Sequence, residues 1–161
     1  MAVDTSTIES WMRVSWRARP ASFVALMSLY ESNYLRAGWL IQNLRQLTGR
    51  QVSKVEADCD LVLTIDAQTP YTTCLNLTYC FDAANPVDVL PDMRIRLYHD
   101  ARLAEAVSWA GQHSHKVLSW WRARAERELD QRWARNMMLN KWLEYCVERG
   151  HRFSTGLRPT R

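Results

Sequence analysis

Residues 71–81 alternate without a break. Tyr71, Thr73, Leu75, Leu77, Tyr79 and Phe81 stand against Thr72, Cys74, Asn76, Thr78 and Cys80. Successive side chains of a strand point to opposite faces, so this period of two predicts a strand with one apolar face. Two neighbouring segments repeat the pattern. Leu61, Leu63 and Ile65 alternate with Val62, Thr64 and Asp66 until Pro70 breaks the run. Met93, Ile95, Leu97 and His99 alternate with Arg94, Arg96 and Tyr98. The short Gln68-Thr69-Pro70 link predicts an antiparallel hairpin. Asn-Pro, a second Pro and three Asp make residues 82–92 a loop.

A sheet with one apolar face needs a covering layer. Phe23, Leu26, Met27, Tyr30, Tyr34, Ile41 and Leu44 recur at three-, four- and seven-residue steps, the stripe of an amphipathic helix. It predicts a long helix from a Ser22 cap to about residue 47, with Gly49 just beyond its end. Gly38 inside it costs about 1 kcal/mol relative to Ala and marks a kink or a close approach. Leu129, Trp133, Leu139, Trp142, Leu143, Cys146 and Val147 predict a second long helix over residues 119–149, ended by Gly150. Residues 1–19 form an arm or short helix, with Ile8, Trp11, Met12 and Trp16 along one side and Arg13, Arg17 and Arg19 among them; Pro20 stops it. Residues 152–161 read as a flexible basic tail. Residues 100–110 fit two readings. One is a helix capped by Asp100; the other is a strand in which Leu103, Glu105, Val107 and Trp109 share a face.

Charge is unevenly spread. Residues 1–50 carry +3, residues 51–112 carry −5 and residues 113–161 carry +6. The simplest reading is internal, with basic helices packed on an acidic sheet, and it implies no acidic partner. Eighteen of the 21 basic residues are Arg, which favours bidentate contact with carboxylate and phosphate and also follows genomic composition. No apolar run approaches the roughly 18 residues of a membrane span. No N-terminal stretch has the layout of an export signal, so the expected location is the cytoplasm. There the cysteines at 59, 74, 80 and 146, which form no CxxC pair, stay reduced thiols.

Specific chemistry is sparsely signalled. No G-x-S-x-G occurs, and the five glycines are too scattered for a phosphate-binding loop. Neither a cofactor nor a metal is implied. His113 and His115 offer two imidazoles where a metal needs three or four ligands, and they read as a solvated loop. The run from Arg94 to Asp100 is the most informative. Parity puts His99 on the face of Ile95 and Leu97. If 103–109 is a strand, Glu105 joins that face, and a His–Glu pair would perturb both groups. Trp120, Trp121, Arg122, Arg124 and Arg127 interleave rings and guanidinium groups, the look of a single-strand nucleic-acid platform. Glu126, Glu128 and Asp130 cut through it, and Arg122–Glu126 and Glu128–Arg132 fit ordinary i, i+4 pairs on a solvated helix.

The block Met93-Arg94-Ile95-Arg96-Leu97-Tyr98-His99-Asp100-Ala101-Arg102-Leu103-Ala104-Glu105 resembles the YqiB-like proteins, a bacterial family without assigned activity. Tyr71-Thr72-Thr73 resembles a second segment of the family, and Glu31, Asn33 and Tyr34 a third. Asp130, Asn136, Trp142-Leu143, Cys146 and Gly150 resemble its terminal helix. The resemblance spans roughly residues 22–151. It departs at residues 118–129, where relatives carry an aromatic, Pro-Asn-containing stretch and this chain has no Pro. It implies a small cytoplasmic protein, and it favours a strand at 103–109.

The resulting expectation is an α+β domain over residues 20–151. A four-stranded antiparallel meander packs with a long N-terminal and a long C-terminal helix, and Leu75, Leu77, Leu97, Tyr30, Tyr34, Trp142 and Leu143 share one core. The favoured function is a non-enzymatic binding or protein-interaction module with a protein partner. A small-molecule pocket or enzyme around Tyr98, His99, Asp100 and Glu105 is the alternative, and Arg/Trp-mediated nucleic-acid binding the second. The candidate polar cluster is Arg96, Tyr98, His99, Asp100, Glu105, Glu31 and Asn33.

Overall fold

The computed structural model describes residues 23–80, 89–110 and 131–155. In chain order they form α1 (Phe23–Leu40), β1 (Arg50–Ser53), β2 (Asp60–Gln68), β3 (Thr72–Cys80), β4 (Val89–Tyr98), β5 (Leu103–Ala110) and α2 (Gln131–Glu148). The five strands make one antiparallel meander in the order β1-β2-β3-β4-β5. The class is α+β, with five strands where the sequence pattern predicts four. The fifth is β1, whose four residues are too short a run for a period of two to show.

Alternation decides which face is covered. Leu61 and Leu63, then Leu75, Leu77 and Tyr79, then Met93, Ile95 and Leu97 are all buried. They stack across the ladder as Leu63↔Leu77 and Leu77↔Met93, and as Ile65↔Leu75 and Leu75↔Ile95. The helices close this face with Ala37 and Leu40 from α1 and Leu139, Trp142, Leu143 and Cys146 from α2. Both helices also contact β5. There the inward residues are Ala104 and Ala106, small enough to let helix backbones approach.

β5 is the strand of the two readings, and a bulge reshapes its faces. Arg94 pairs with Ser108 but Ile95 pairs with Ala106, so Val107 is the extra residue. Ala104 and Ala106 therefore point inward below the bulge and Trp109, opposite Met93, points inward above it. Glu105 falls on the outer face, not with His99 as simple parity predicts.

Other expectations are corrected as well. α1 ends at Leu40 rather than near 47, because the chain leaves the helix to meet residues after α2. Phe153 N–H donates to Leu40 O at 2.8 Å, and Gln42 N–H donates to Phe153 O at 2.8 Å. Asn43 takes the left-handed conformation in the turn that follows. Phe153 is buried, so the packed part of the chain runs past residue 151 to this anchor. Tyr30 belongs to a second cluster with Ala25, Leu26, Leu29 and Trp133, apart from the main core that Tyr34 borders. Nothing lies within 4 Å of where a Cβ at Gly38 would sit, so that glycine marks no close approach. The expected arm at 1–19, most of the 82–92 loop, residues 119–130 of the C-terminal helix, and His113 and His115 lie outside the described residues.

The internal charge pairing differs from the basic-on-acidic layering. Arg94–Asp66, Arg96–Glu105 and Lys54–Asp60 form within the sheet layer, and Arg36–Glu144 joins the two helices. At the end of α2, Arg149 pairs with Asp58, and His151 Nε2 is hydrogen-bonded to the same carboxylate.

Leu77 lies at the centre of this packing. Leu77→Ala is expected to lose about 2–5 kcal/mol of stability in a denaturant titration. A loss below about 1 kcal/mol would place Leu77 outside the core.

Candidate functional site

The seven expected polar residues do not meet in one place. The fold distributes them over three positions around the β4–β5 turn, and a fourth polar cluster lies at the opposite end of the core.

The first position is the free edge of β5. Asn33 on α1 donates from Nδ2 towards Ala104 O at 3.4 Å, and Asn136 Oδ1 on α2 accepts Ala106 N–H at 2.8 Å. Asn33 Nδ2 also lies 3.3 Å from Asn136 Oδ1, and Asn140 Nδ2 donates to Asn33 Oδ1 at 3.0 Å. All three asparagines are buried. Glu31, expected beside Asn33, points to solvent.

The second position is His99 on the inner face. Its Nδ1 lies 3.1 Å from Tyr34 Oη and its Nε2 lies 2.8 Å from Thr73 Oγ1. Its bonded partners are two hydroxyls, with no carboxylate. Burial lowers its pKa, the nearby Arg45 lowers it further, and Asp100 at the turn opposes both. A neutral ring with one donor and one acceptor nitrogen is satisfied by two hydroxyls, each able to play either role.

The third position is the outer face. Tyr98 Oη donates to Glu105 Oε1 at 2.7 Å, and Arg96 Nη1 lies 3.9 Å from the same oxygen. Burial raises the Tyr98 pKa, while Arg96 pulls it down and Glu105 pushes it up. Tyr98 and Cys74 hold the Arg96 guanidinium more firmly protonated. Tyr30 reaches towards this site from α1. Burial first, then Glu105, pushes its phenol up to about 12. The strand places Tyr98 and Glu105 on the outer face and His99 on the inner one, with Asp100 exposed in the turn.

The fourth cluster was invisible in the sequence. His151 Nε2 lies 3.2 Å from Asp58 Oδ2, and His151 Nδ1 lies 3.1 Å from Ser53 Oγ. Ser53 Oγ accepts Arg152 N–H at 3.2 Å, which leaves its own proton for Nδ1 and the ring proton on Nε2 for Asp58. Tyr79 Oη donates to Asp58 Oδ2 at 2.9 Å, and Cys59 N–H donates to Asp58 Oδ1 at 2.9 Å. Burial pushes the Tyr79 phenol and the neighbouring Cys146 thiol well up. The serine–histidine–aspartate connectivity is that of a hydrolytic relay. A relay also needs room for an acyl carbon about 3 Å from the nucleophile. Here His151 has no exposed surface and Ser53 is buried, so the cluster ties β1, β3 and the segment after α2 together. No sequence signal joins residues 53, 58, 79 and 151.

Among the described residues, no three His, Cys, Asp or Glu side chains are grouped to hold a metal ion. All four cysteines are free. No described helix is long and apolar enough to cross a membrane. Trp120, Trp121, Arg122, Arg124 and Arg127 lie outside the described residues. Phe23, which its spacing put in the buried stripe, is 74% exposed, and sequence reasoning passed over Val24, Leu35 and Trp39 on the solvent side of α1, which are 64%, 59% and 51% exposed.

The comparisons agree with the resemblance drawn from the central block. A family model for proteins of unknown function, DUF1249, matches residues 37–152. The uncharacterized protein YqiB of Escherichia coli strain K12 is 30% identical over 128 residues, covering 80% of this chain and 90% of its own length. The protein of the same name in Escherichia coli O157:H7 matches to the same extent. No solved structure matches the chain.

Two variants test the inner polar contacts. Asn136→Ala removes the partner of the buried Ala106 N–H, and a loss of about 1–3 kcal/mol is expected in denaturant titration. Unchanged stability would show that the edge bonds contribute nothing. The His99 pKa is depressed in the folded state, so the unfolded chain takes up its proton first. The resulting stability is full above the free-imidazole value of 6.5 and falls as pH drops through it. His99→Gln, which does not titrate, is expected to lose less stability between about pH 7 and pH 5 than the wild type. Parallel acid slopes for the two proteins would exclude His99 as the source.

Proposed function

The chain belongs to DUF1249, a family of proteins of unknown function, and for this member we propose a non-enzymatic role as a cytoplasmic protein-interaction module that docks through the solvent side of α1. The observation that carries this reading is the exposure of apolar side chains on that helix. Val24, Leu35 and Trp39 stand seven and four residues from the exposed Glu31 or from each other, and so lie along one strip. From Val24 to Trp39 the strip runs about 22 Å at 1.5 Å per residue. Ser28 and Glu31 interrupt the strip after Val24, so its apolar part is the neighbouring pair Leu35 and Trp39, one helical turn apart, and adjacent exposed apolar side chains are where an interaction site is sought. Aromatic anchors such as Trp39 contribute much of the energy where they enter a partner's pocket. The Arg36 guanidinium sits 5.5 Å from the centre of the Trp39 ring and pairs with Glu144 at 3.6 Å, so Trp39 is held against the fold.

The other described surfaces favour this reading by contrast. On the outer sheet face Arg94 and Arg96 are matched by Asp66 and Glu105, which leaves little charge there for a phosphate backbone. The two buried histidines, His99 and His151, have both ring nitrogens hydrogen-bonded to their neighbours.

The test is a pull-down from native cytoplasm with the wild type and a Leu35→Ser, Trp39→Ser double variant. Both positions are exposed, so melting is expected to stay within about 1 kcal/mol of the wild type. Loss of a partner that the wild type captures supports the reading. Capture of the same partner by both proteins removes α1 as the docking face.

A further inference from the structure

We propose that β1 is a self-pairing edge, through which two copies of the chain join their sheets by an antiparallel contact of β1 with β1. This surface is separate from α1, and the inference does not depend on the docking role of that helix. The sheet order leaves two outer strands, β1 and β5. On β5, Ala104 O and Ala106 N–H are taken by Asn33 and Asn136. β1 has no such cap. Ile65 N–H donates to Gly49 O at 2.9 Å, and the pairing of Arg50 with Thr64 sets Gly49 opposite Ile65. Bonded positions alternate along an antiparallel ladder. Gly49, Gln51 and Ser53 therefore turn their backbone groups to β2, and Arg50 and Val52 turn theirs outward. Among the described residues those outward groups meet no partner. β1 also pairs with β2 without a bulge and contains no proline, two devices that blunt an edge.

Charge and hydrogen-bond parity select one register for a second copy. A two-fold axis centred on Gln51 sets Arg50 opposite the partner's Val52, and Val52 opposite the partner's Arg50. Both are outward positions, so each pair exchanges two backbone hydrogen bonds. An axis at Arg50 sets two guanidinium groups opposite each other, and an axis at Val52 sets Arg50 opposite Lys54. Like charges directly opposite are destabilising, so the Gln51 register is favoured. It also lays the aliphatic stem of Arg50 over the partner's Val52, a side chain that is 41% exposed in the single chain. Gln51 then faces its own copy, and two side-chain amides can donate to each other. The contact closes on itself, because the β5 edge of each copy is already capped. Two four-residue strands bury less than the roughly 1,200 Å² of a standard stable interface, so the association is weak.

The test is sedimentation of the full chain between about 10 µM and about 1 mM, with amide exchange read at both concentrations. The mean mass is expected to rise towards twice that of one chain. The Arg50 and Val52 amides are expected to exchange about threefold more slowly at the higher concentration. Val52→Pro removes an outward N–H and leaves the ladder with β2 its donors, so it is expected to keep the chain folded and to hold it at the single-chain mass. A cross-link reads the same contact in chains that keep Val52, and it decides the case in which the proline variant does not fold. Opposed non-bonded positions lie about 4.5 Å apart at Cα, within reach of a disulfide, whereas two copies of residue 50 stand beyond about 7 Å. Oxidation is therefore expected to join two Gln51→Cys chains through the substituted position, identified by peptide mass, and not two Arg50→Cys chains. A single-chain mass up to about 1 mM overturns the proposal, as does a dimer that Val52→Pro leaves intact in a folded chain. Cross-linking by Arg50→Cys in preference to Gln51→Cys overturns the register.

Discussion

An outer strand of a sheet carries backbone donors and acceptors that must be bonded if they are buried. In this protein β5 is such a strand, and two helices lie against it. Water is kept from Ala106 N–H and Ala104 O, and the side chains of Asn136 and Asn33 replace it. That exchange fixes much else. It sets the rotation of α1 and α2 about their axes, because each must present an asparagine to the same short stretch of strand. It requires small inward side chains at 104 and 106. It also joins the helices to each other, since Asn140 donates to Asn33. A side-chain amide can accept from one backbone group and donate to another, which a hydroxyl or a carboxylate does less completely.

The two buried histidines follow one logic. His99 and His151 each satisfy both ring nitrogens within the fold, and each has a hydroxyl partner. They differ in the second contact, which is a hydroxyl for His99 and a carboxylate for His151. A ring with both nitrogens bonded has no lone pair or proton left for a substrate. This is why the residue types that suggest acid–base chemistry serve here as cross-links between strands and helices.

What the sequence made legible follows from the length of each pattern. β3 and β4 alternate over enough residues to reveal both the strand and its buried face, and Leu75, Leu77, Met93, Ile95 and Leu97 lie where the alternation puts them. The helix stripes were equally visible, though α1 stops early because Phe153 takes the backbone groups that would have extended it. β1 was too short to register. In β5 a single extra residue, Val107, reverses the parity on which the His99–Glu105 pairing depended. The cluster of Ser53, Asp58, Tyr79 and His151 draws on three distant parts of the chain, and pattern reading has no access to that kind of proximity. The asparagines were visible as residues but not as edge caps, since nothing in the sequence says that two helices share one strand.

The short bridge between Ile41 and Phe153 spans 112 residues of chain. Loops of that size close slowly relative to local helix and hairpin formation, because the entropy of bringing the ends together precedes any gain from contact. On the ribosome the strands of the meander can pair in order as they emerge, each with its predecessor. The last turn of α1 has no such neighbour. Its final hydrogen bonds come from residues made more than a hundred positions later, so α1 precedes the other described elements in synthesis and is completed only after them.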